Sequence, residues 1–287
     1  MKTVNTISEL RAARAELPEP VGIVPTMGFL HEGHLSLARR ARHECASVVA
    51  TIFVNPTQFA PEEDLDAYPR DLDRDLALLE GAGVDLVWTP TPDVMYPPNF
   101  QTWVIVEDLT RVLEGASRPT HFRGVATVVA MLFNGVQPQR AYFGQKDAQQ
   151  AVVVQRMVQD LNYPIEVVVC PIVREADGLA MSSRNTYLNP DQRQAATVLS
   201  RSLKAAKLAF HAGERDADAL RAIVAEVVAS EPLAQLEYIS CAHPETLQEL
   251  DGSIENGLLS MAVRVGRTRL IDNLVITGDS GTRNVKT

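Results

Sequence analysis

The sequence is short of most features that mark a specialised chain. Cysteine is scarce: three in 287 residues, Cys45, Cys170 and Cys241, scattered and odd in number. That excludes a disulfide framework, and three buried free thiols are expected. No apolar run approaches the roughly 18 residues a bilayer-spanning helix needs. Met1-Lys2-Thr3-Val4-Asn5 opens no apolar signal segment, so the reading is a soluble, cytoplasmic protein with no membrane partner. Positive charge is also lacking: 27 Lys and Arg stand against 36 Asp and Glu, a net charge of −9. Without a basic stripe, broad binding to nucleic acid is excluded, while a small anionic ligand needs only local positive groups. The chain has neither a Gly-x-x-x-x-Gly-Lys-Ser/Thr loop nor a Gly-x-Gly-x-x-Gly turn. No repeat or low-complexity tract is present.

What is there is a globular balance, 46% apolar and 22% charged residues, long enough for one large or two unequal domains. Residues 6–15 read as a helix capped by Thr6 or Ser8. Apolar runs at 21–24, 47–54, 84–88, 102–107, 140–143 and 165–170 read as strands. Helices are expected after residue 34, over 71–81 with glycine stop signals, over 123–136, where the apolar period is clearest, and up to about 161. Strands apolar on both faces and alternating with helices predict a parallel sheet covered on both sides, an α/β Rossmann-like domain over residues 1–176. After about residue 176 the pattern changes. Asn189-Pro190 starts a helix with one apolar face through Phe210. A second runs from about Asp216, and β runs at 235–241, 257–265 and 268–276 follow, the last two joined by a short hairpin. This predicts a smaller α+β domain over 177–287, acting as a lid with a phosphate-binding hinge loop, and a polar, frayed tail after Gly278.

The polar motifs follow the strands, and ligands of open α/β sheets bind at the carboxyl ends of strands. Met27-Gly28-Phe29-Leu30-His31-Glu32-Gly33-His34 is a strand-to-helix turn with two histidines at a helix start. The unpaired N–H groups and partial positive charge there suit phosphate, and histidine there can donate to an anion whose charge grows during a reaction. Metal ligation is a weaker reading, because no third ligand stands at a metal-site spacing. Turn-shaping glycines and structural histidines are the plainer ones. Gly144-Gln145-Lys146-Asp147 also opens a helix after a strand, and its lysine can meet a phosphate as a point charge, although on its own it reads equally as a solvated charge. Met181-Ser182-Ser183-Arg184 offers hydroxyls and a guanidinium that can wrap phosphate oxygens, in a stretch that also reads as an interdomain linker. Together these turns point to transfer of a nucleotidyl group. Asp64, Asp66, Asp71, Asp73 and Asp75 read mostly as helix-start and surface charges, so no metal ligand is named.

Pro25 through His34, Phe53-Val54-Asn55-Pro56-Thr57-Gln58-Phe59, His121-Phe122-Arg123-Gly124-Val125, Phe143 through Asp147 with Gln149-Gln150, and Gly178 through Asn185 resemble, in order, the pantothenate synthetase (pantoate–β-alanine ligase) family. The resemblance implies a two-step ligation. ATP and pantoate give pantoyl adenylate and pyrophosphate; the amine of β-alanine then releases pantothenate and AMP. It implies His34 as proton donor, with His31, Lys146 and Arg184 assisting. Met27–His34, Gly144–Asp147, Val173 and Met181–Arg184 match ATP-contacting positions, and Gln58 and Gln150 match pantoate positions. Neutral amides there orient a carboxylate without quenching its nucleophilicity. Mg²⁺ is expected on the ATP phosphates, and a homodimer is implied. Two alternatives stand beside this: another His-x-Gly-His nucleotidyltransferase, and a non-catalytic ATP-binding protein.

Overall fold

The computed structural model describes residues 1–61 and 63–278; the tail read as frayed lies outside the described residues. The chain forms two compact units, Met1–Val173 with Met181–Ser183, and Arg174–Ala180 with the residues from Arg184 onward.

In the first unit the elements are β1 (Lys2–Val4), α1 (Ile7–Ala15), β2 (Val21–Thr26), α2 (Glu32–Glu44), β3 (Ser47–Ile52), α3 (Leu72–Gly81), β4 (Leu86–Trp88), the short α4 (Pro92–Met95) and α5 (Glu114–Ser117), α6 (His121–Val136), β5 (Arg140–Gly144), α7 (Ala148–Asp160) and β6 (Glu166–Cys170). Six strands pair in the order β1-β4-β3-β2-β5-β6, every pairing parallel, as the both-face apolar runs predict. Alternate residues feed opposite faces. Ile23 and Val49 pack with Trp88, Val129 and Phe133, whereas Val24, Val48 and Ala50 pack with Leu37, Ala38 and Tyr142. Helix α1 starts on a reciprocal cap: the Thr6 hydroxyl accepts from the Glu9 N–H, and Glu9 accepts from the Thr6 N–H. The three cysteines are free and buried, as expected.

One sequence expectation fails here, and one strand goes unread. Residues 102–107 form no strand: exposure alternates along the segment, but the Val104 N–H donates to the Thr127 hydroxyl at 3.0 Å instead of to a ladder partner. Val104 and Val106 pack on the core, and Trp103 stacks on Tyr96. Strand β1 carries no legible signal in the sequence, because three residues with a single buried side chain give too little pattern to read.

The second unit contains α8 (Pro190–Ala195), α9 (Val198–His211), α10 (Ala217–Ala229) and an antiparallel sheet of β7 (Ala234–Ala242), β8 (Asn256–Val265) and β9 (Thr268–Thr277) in that order. The helix read as continuous from 189 to 210 is broken at Ala196–Thr197. There the Thr197 hydroxyl donates to the Gln194 carbonyl at 2.7 Å, a local bond that competes with the helical ladder. Both pieces still face one core, with Val198, Leu203 and Phe210 against Leu220, Leu259 and Val263. Arg174 donates to both oxygens of the buried Asp272, at 2.7 and 2.9 Å. Removing one partner of such a pair strands a charge, so Asp272→Ala is expected to destabilise this unit by about 3 kcal/mol in urea unfolding.

Candidate active site

Three loops in the first unit leave the carboxyl ends of adjacent strands: residues 27–31 after β2, 53–58 after β3 and 145–147 after β5. Strand β2 lies between the other two, so register alone brings the histidine, amide and lysine motifs to one edge of the sheet. This is the crevice that parallel α/β sheets use for ligands.

The first loop is held in an uncommon conformation. Gly28 and Phe29 both have positive φ, +82° and +48°, which turns the N–H groups of Phe29 and Leu30 to the same side. Both donate to Asp75 of α3, at 2.6 and 2.7 Å. A side chain at Gly28 would also meet the Asp75 carboxylate and Ile52, each 3.0 Å from an added Cβ. Arg74 lies over the Phe29 ring, 5.4 Å from its centroid. Asp75 is only 1% exposed, so the reading of it as a surface charge is corrected. Its spacing of four from Asp71, the helix cap, places it one turn inside α3 on the buried side. That position was the available signal. Burial pushes its carboxyl above the ordinary value, against the pull of the two amide donors.

The two histidines cap α2 reciprocally. His31 is the N-cap, and its Nδ1 accepts from the Gly33 N–H at 3.1 Å; the His34 Nδ1 accepts from the His31 N–H at 3.3 Å. The rings lie 4.0 Å apart, centroid to centroid. A Cβ at position 33 would fall 2.8 Å from the His31 ring, so the glycine between the histidines makes room for it. With Nδ1 used as an acceptor, the proton of a neutral ring sits on Nε2. Burial, then the neighbouring His31 and Lys146, push the His34 pKa down to about 3 against the attraction of Asp147. His34 is therefore a neutral imidazole whose Nε2–H is the available donor. Glu32, by contrast, is exposed and its carboxylate pairs with Arg39.

Lys146 and Asp147 occupy the 3₁₀ turn before α7, half-buried, with Nζ 3.3 Å from the Asp147 carboxylate. Gln58 ends the 3₁₀ turn Pro56–Gln58. Its amide is oriented by two contacts: Oε1 accepts from Asn55 Nδ2 at 3.2 Å, and Nε2 donates to the Met27 sulfur at 2.9 Å. Asn55, 1% exposed, also accepts from Tyr96 at 2.8 Å. Neither Asn55 nor Tyr96 was singled out as a site residue, although Asn-Pro marked the turn. The Gln149-Gln150 pair divides its work. Gln149 is buried and clamps the 109–114 segment by accepting from the Glu114 N–H and donating to the carbonyls of Leu109 and Val112; Gln150 is half-buried in the first turn of α7.

The Met181 N–H donates to the Val173 carbonyl at 3.0 Å, and the Ser183 hydroxyl to the Phe29 carbonyl at 3.1 Å. Met181, Ser182 and Ser183 thus stay with the first unit, Ser183 bonded directly to the histidine loop. Arg184 belongs to the second unit. Among the described residues, no group of three or more His, Cys, Asp or Glu could hold a metal ion, and no helix is long and apolar enough to cross a membrane.

The chain is similar to known proteins over nearly its whole length. A family model for pantoate–β-alanine ligase matches residues 2–275. A pantothenate synthetase of Roseiflexus sp. (strain RS-1) is 61% identical over 276 residues, spanning 96% of this chain and 99% of that protein. The crystal structure of a Thermus thermophilus pantothenate synthetase superposes with a TM-score of 0.91 at 53% identity, over 96% of this chain and 99% of that one. The Francisella tularensis pantoate–β-alanine ligase, solved in complex with beta-gamma ATP and β-alanine, gives 0.79 at 31% identity over 96% and 97%. The chain is an enzyme and belongs to the pantoate–β-alanine ligase family.

Proposed function

We propose that the enzyme joins pantoate to β-alanine in two adenylate half-reactions. A pantoate carboxylate oxygen attacks the α-phosphorus of ATP, and the bond to pyrophosphate breaks. The β-alanine nitrogen then attacks the acyl carbon, AMP leaves with the bonding pair, and the amine gives up a proton. In such chemistry the protein mainly positions reactants and stabilises developing charge. The observation that supports this reading best is the single sheet edge carrying the neutral His34 donor, the Lys146 ammonium and the Gln58 amide.

His34 Nε2–H and Lys146 donate to the α-phosphate as charge builds on it, and His31 adds a phosphate contact. The backbone of 27–34, Gly144–Asp147, Val173, Ser182 and Ser183 completes the nucleotide cradle. Arg184 is carried by its match to the family's ATP-contacting positions. Gln58 and Gln150 hold pantoate, and Gln58 also faces β-alanine. The carboxylates of the nucleotide motifs are paired, Glu32 with Arg39 and Asp147 with Lys146, which fits Mg²⁺ carried mainly on substrate oxygens, where it keeps few protein ligands. Bound there, it would shield the negative charge that the attacking carboxylate meets. A homodimer is what the resemblance implies, and the three free thiols suit the reducing cytoplasmic compartment read from the sequence.

The test is mass-spectrometric assay of ATP, pantoate and β-alanine. AMP and pantothenate are expected together, with pyrophosphate exchange into ATP dependent on pantoate alone. Pantothenate formed without that exchange, or with ADP and phosphate in place of AMP and pyrophosphate, overturns the adenylate route. Lys146→Ala is expected to slow the exchange by about 100-fold, the cost of one charge-stabilising donor. An unchanged rate removes Lys146 from the α-phosphate.

A further inference from the structure

The His121-Phe122-Arg123-Gly124 motif has a definite structural assignment. It forms the first turn of α6, against the 3₁₀ turn that carries Gln58. His121 Nδ1 lies 2.9 Å from the Gln58 carbonyl oxygen, which can only accept, so the ring proton sits on Nδ1. Nε2 is then an acceptor, and Arg118 Nη1 stands 3.2 Å from it as donor. Arg118 also donates to the same Gln58 carbonyl at 3.2 Å and to Glu63 through two bonds of 2.5 and 2.7 Å. Three residues on, Gly124 leaves no room for a side chain. An added Cβ would lie 2.4 Å from the Thr57 carbonyl oxygen and 2.8 Å from the Gln58 nitrogen. The Gly124 carbonyl accepts from Asn55, which in turn orients the Gln58 amide. The Gln58 turn is thus held from below by backbone packing and from one side by the histidine.

We propose that His121 is a positioning residue of the ligase reaction: its Nδ1–H holds the Gln58 carbonyl, and so fixes where the Gln58 amide presents itself to pantoate. This rests on Gln58 as a pantoate contact. The ring does not touch substrate; it sets the backbone from which the touching side chain projects. Burial, with the Arg118 guanidinium beside it, pushes its pKa down to about 4. The Nδ1–H tautomer is therefore the species present at neutral pH. Phe122 is buried in the core and Arg123 lies over the Trp103 ring at 4.7 Å, so each anchors the turn by its own contact.

The tautomer gives a test that a purely structural role does not pass. An Asn carboxamide nitrogen reaches the place of Nδ1, whereas a Gln nitrogen reaches that of Nε2. His121→Gln is expected to raise the KM for pantoate about tenfold and leave the KM for ATP within about twofold. His121→Asn is expected to return the pantoate KM to within about threefold of the parent, one neutral hydrogen bond being worth about a factor of ten. Gly124→Ala, which displaces the same turn by a different route, should show the same split. Thermal melts report whether each variant folds, and Gln58→Ala is measured beside them. If Gln58→Ala leaves the pantoate KM unchanged, the reading of Gln58 fails and the proposal with it. If Gln58→Ala raises it while His121→Gln and His121→Asn behave alike, or shift both KM values together, only the positioning role is overturned. If His121→Gln does not fold, the Asn and Gly124 variants decide: an unchanged pantoate KM in Gly124→Ala with a tenfold rise in His121→Asn overturns it.

Discussion

His34→Asn is expected to lower the rate of pantoate-dependent pyrophosphate exchange by about 10³-fold while leaving the fold intact. The expectation comes from how the two ring nitrogens divide their tasks. Nδ1 accepts from the His31 N–H and completes the cap of α2. An Asn side-chain oxygen reaches the place of Nδ1 and can accept the same bond from the N-cap N–H, which keeps this half of the reciprocal cap. Nothing in Asn reaches the place of Nε2, so the donor to the α-phosphate is lost. Loss of one preorganised donor in a water-poor site costs roughly 3–4 kcal/mol of transition-state stabilisation. His34→Gln places an amide nitrogen near Nε2 and should recover at least tenfold over Asn. Equal rates for Asn and Gln would mean that the ring serves the helix and not the phosphate.

The same histidine predicts an acid response of the ligand-free enzyme. Its folded pKa, about 3, lies below the ordinary value of 6.5. As pH falls below 6.5 the unfolded chain takes up a proton at His34 that the folded chain refuses. The stability this group contributes is therefore complete above pH 6.5 and is lost progressively as pH falls toward 3. The slope is up to about 1.4 kcal/mol per pH unit for one such group. Urea unfolding from pH 7 to 4.5 should show a shallower fall in His34→Asn than in the parent enzyme.

Asp75→Ala is the second large effect expected. The carboxylate is buried and accepts from two consecutive N–H groups of the histidine loop. Deleting it leaves both donors without that acceptor in a loop whose Gly28 and Phe29 already occupy the left-handed region. Hydrogen bonds to a charged group contribute about 1.5–3 kcal/mol each, so a stability loss of about 3 kcal/mol or more is expected. The catalytic consequence is larger, because the loop sets where His31 and His34 stand and a displacement of about 1 Å costs on the order of 100-fold. Asp75→Asn keeps one acceptor oxygen and should fall between the parent and Ala in both stability and exchange rate. An Ala variant with parental exchange rate would separate the loop geometry from the chemistry.

Much of this protein is local, and to that extent its sequence determined it. Apolar runs buried on both faces, alternating with helices, pointed to a parallel sheet because crossover helices cover both of its faces, whereas an antiparallel sheet commonly leaves one face to water. Thr6 with Glu9 and Asn189 with Pro190 fixed helix starts, since a cap is a bond between near neighbours. The histidine, lysine and Gln58 motifs were legible as strand-end loops for the same reason, and strand order then brought them to one edge. Tertiary structure decided what depends on partners distant along the chain. Residues 102–107 have the alternation of a strand, but Thr127, not a neighbouring strand, takes the Val104 N–H. Asp75 reads as one of five surface acids until α3 is packed against the histidine loop 45 and 46 residues away, where a buried carboxylate satisfies two backbone donors. The tautomers of His34 and His121 are likewise invisible in sequence, because each is set by the group facing Nδ1: an N–H for His34, which leaves its proton on Nε2, and a carbonyl for His121, which holds its proton on Nδ1.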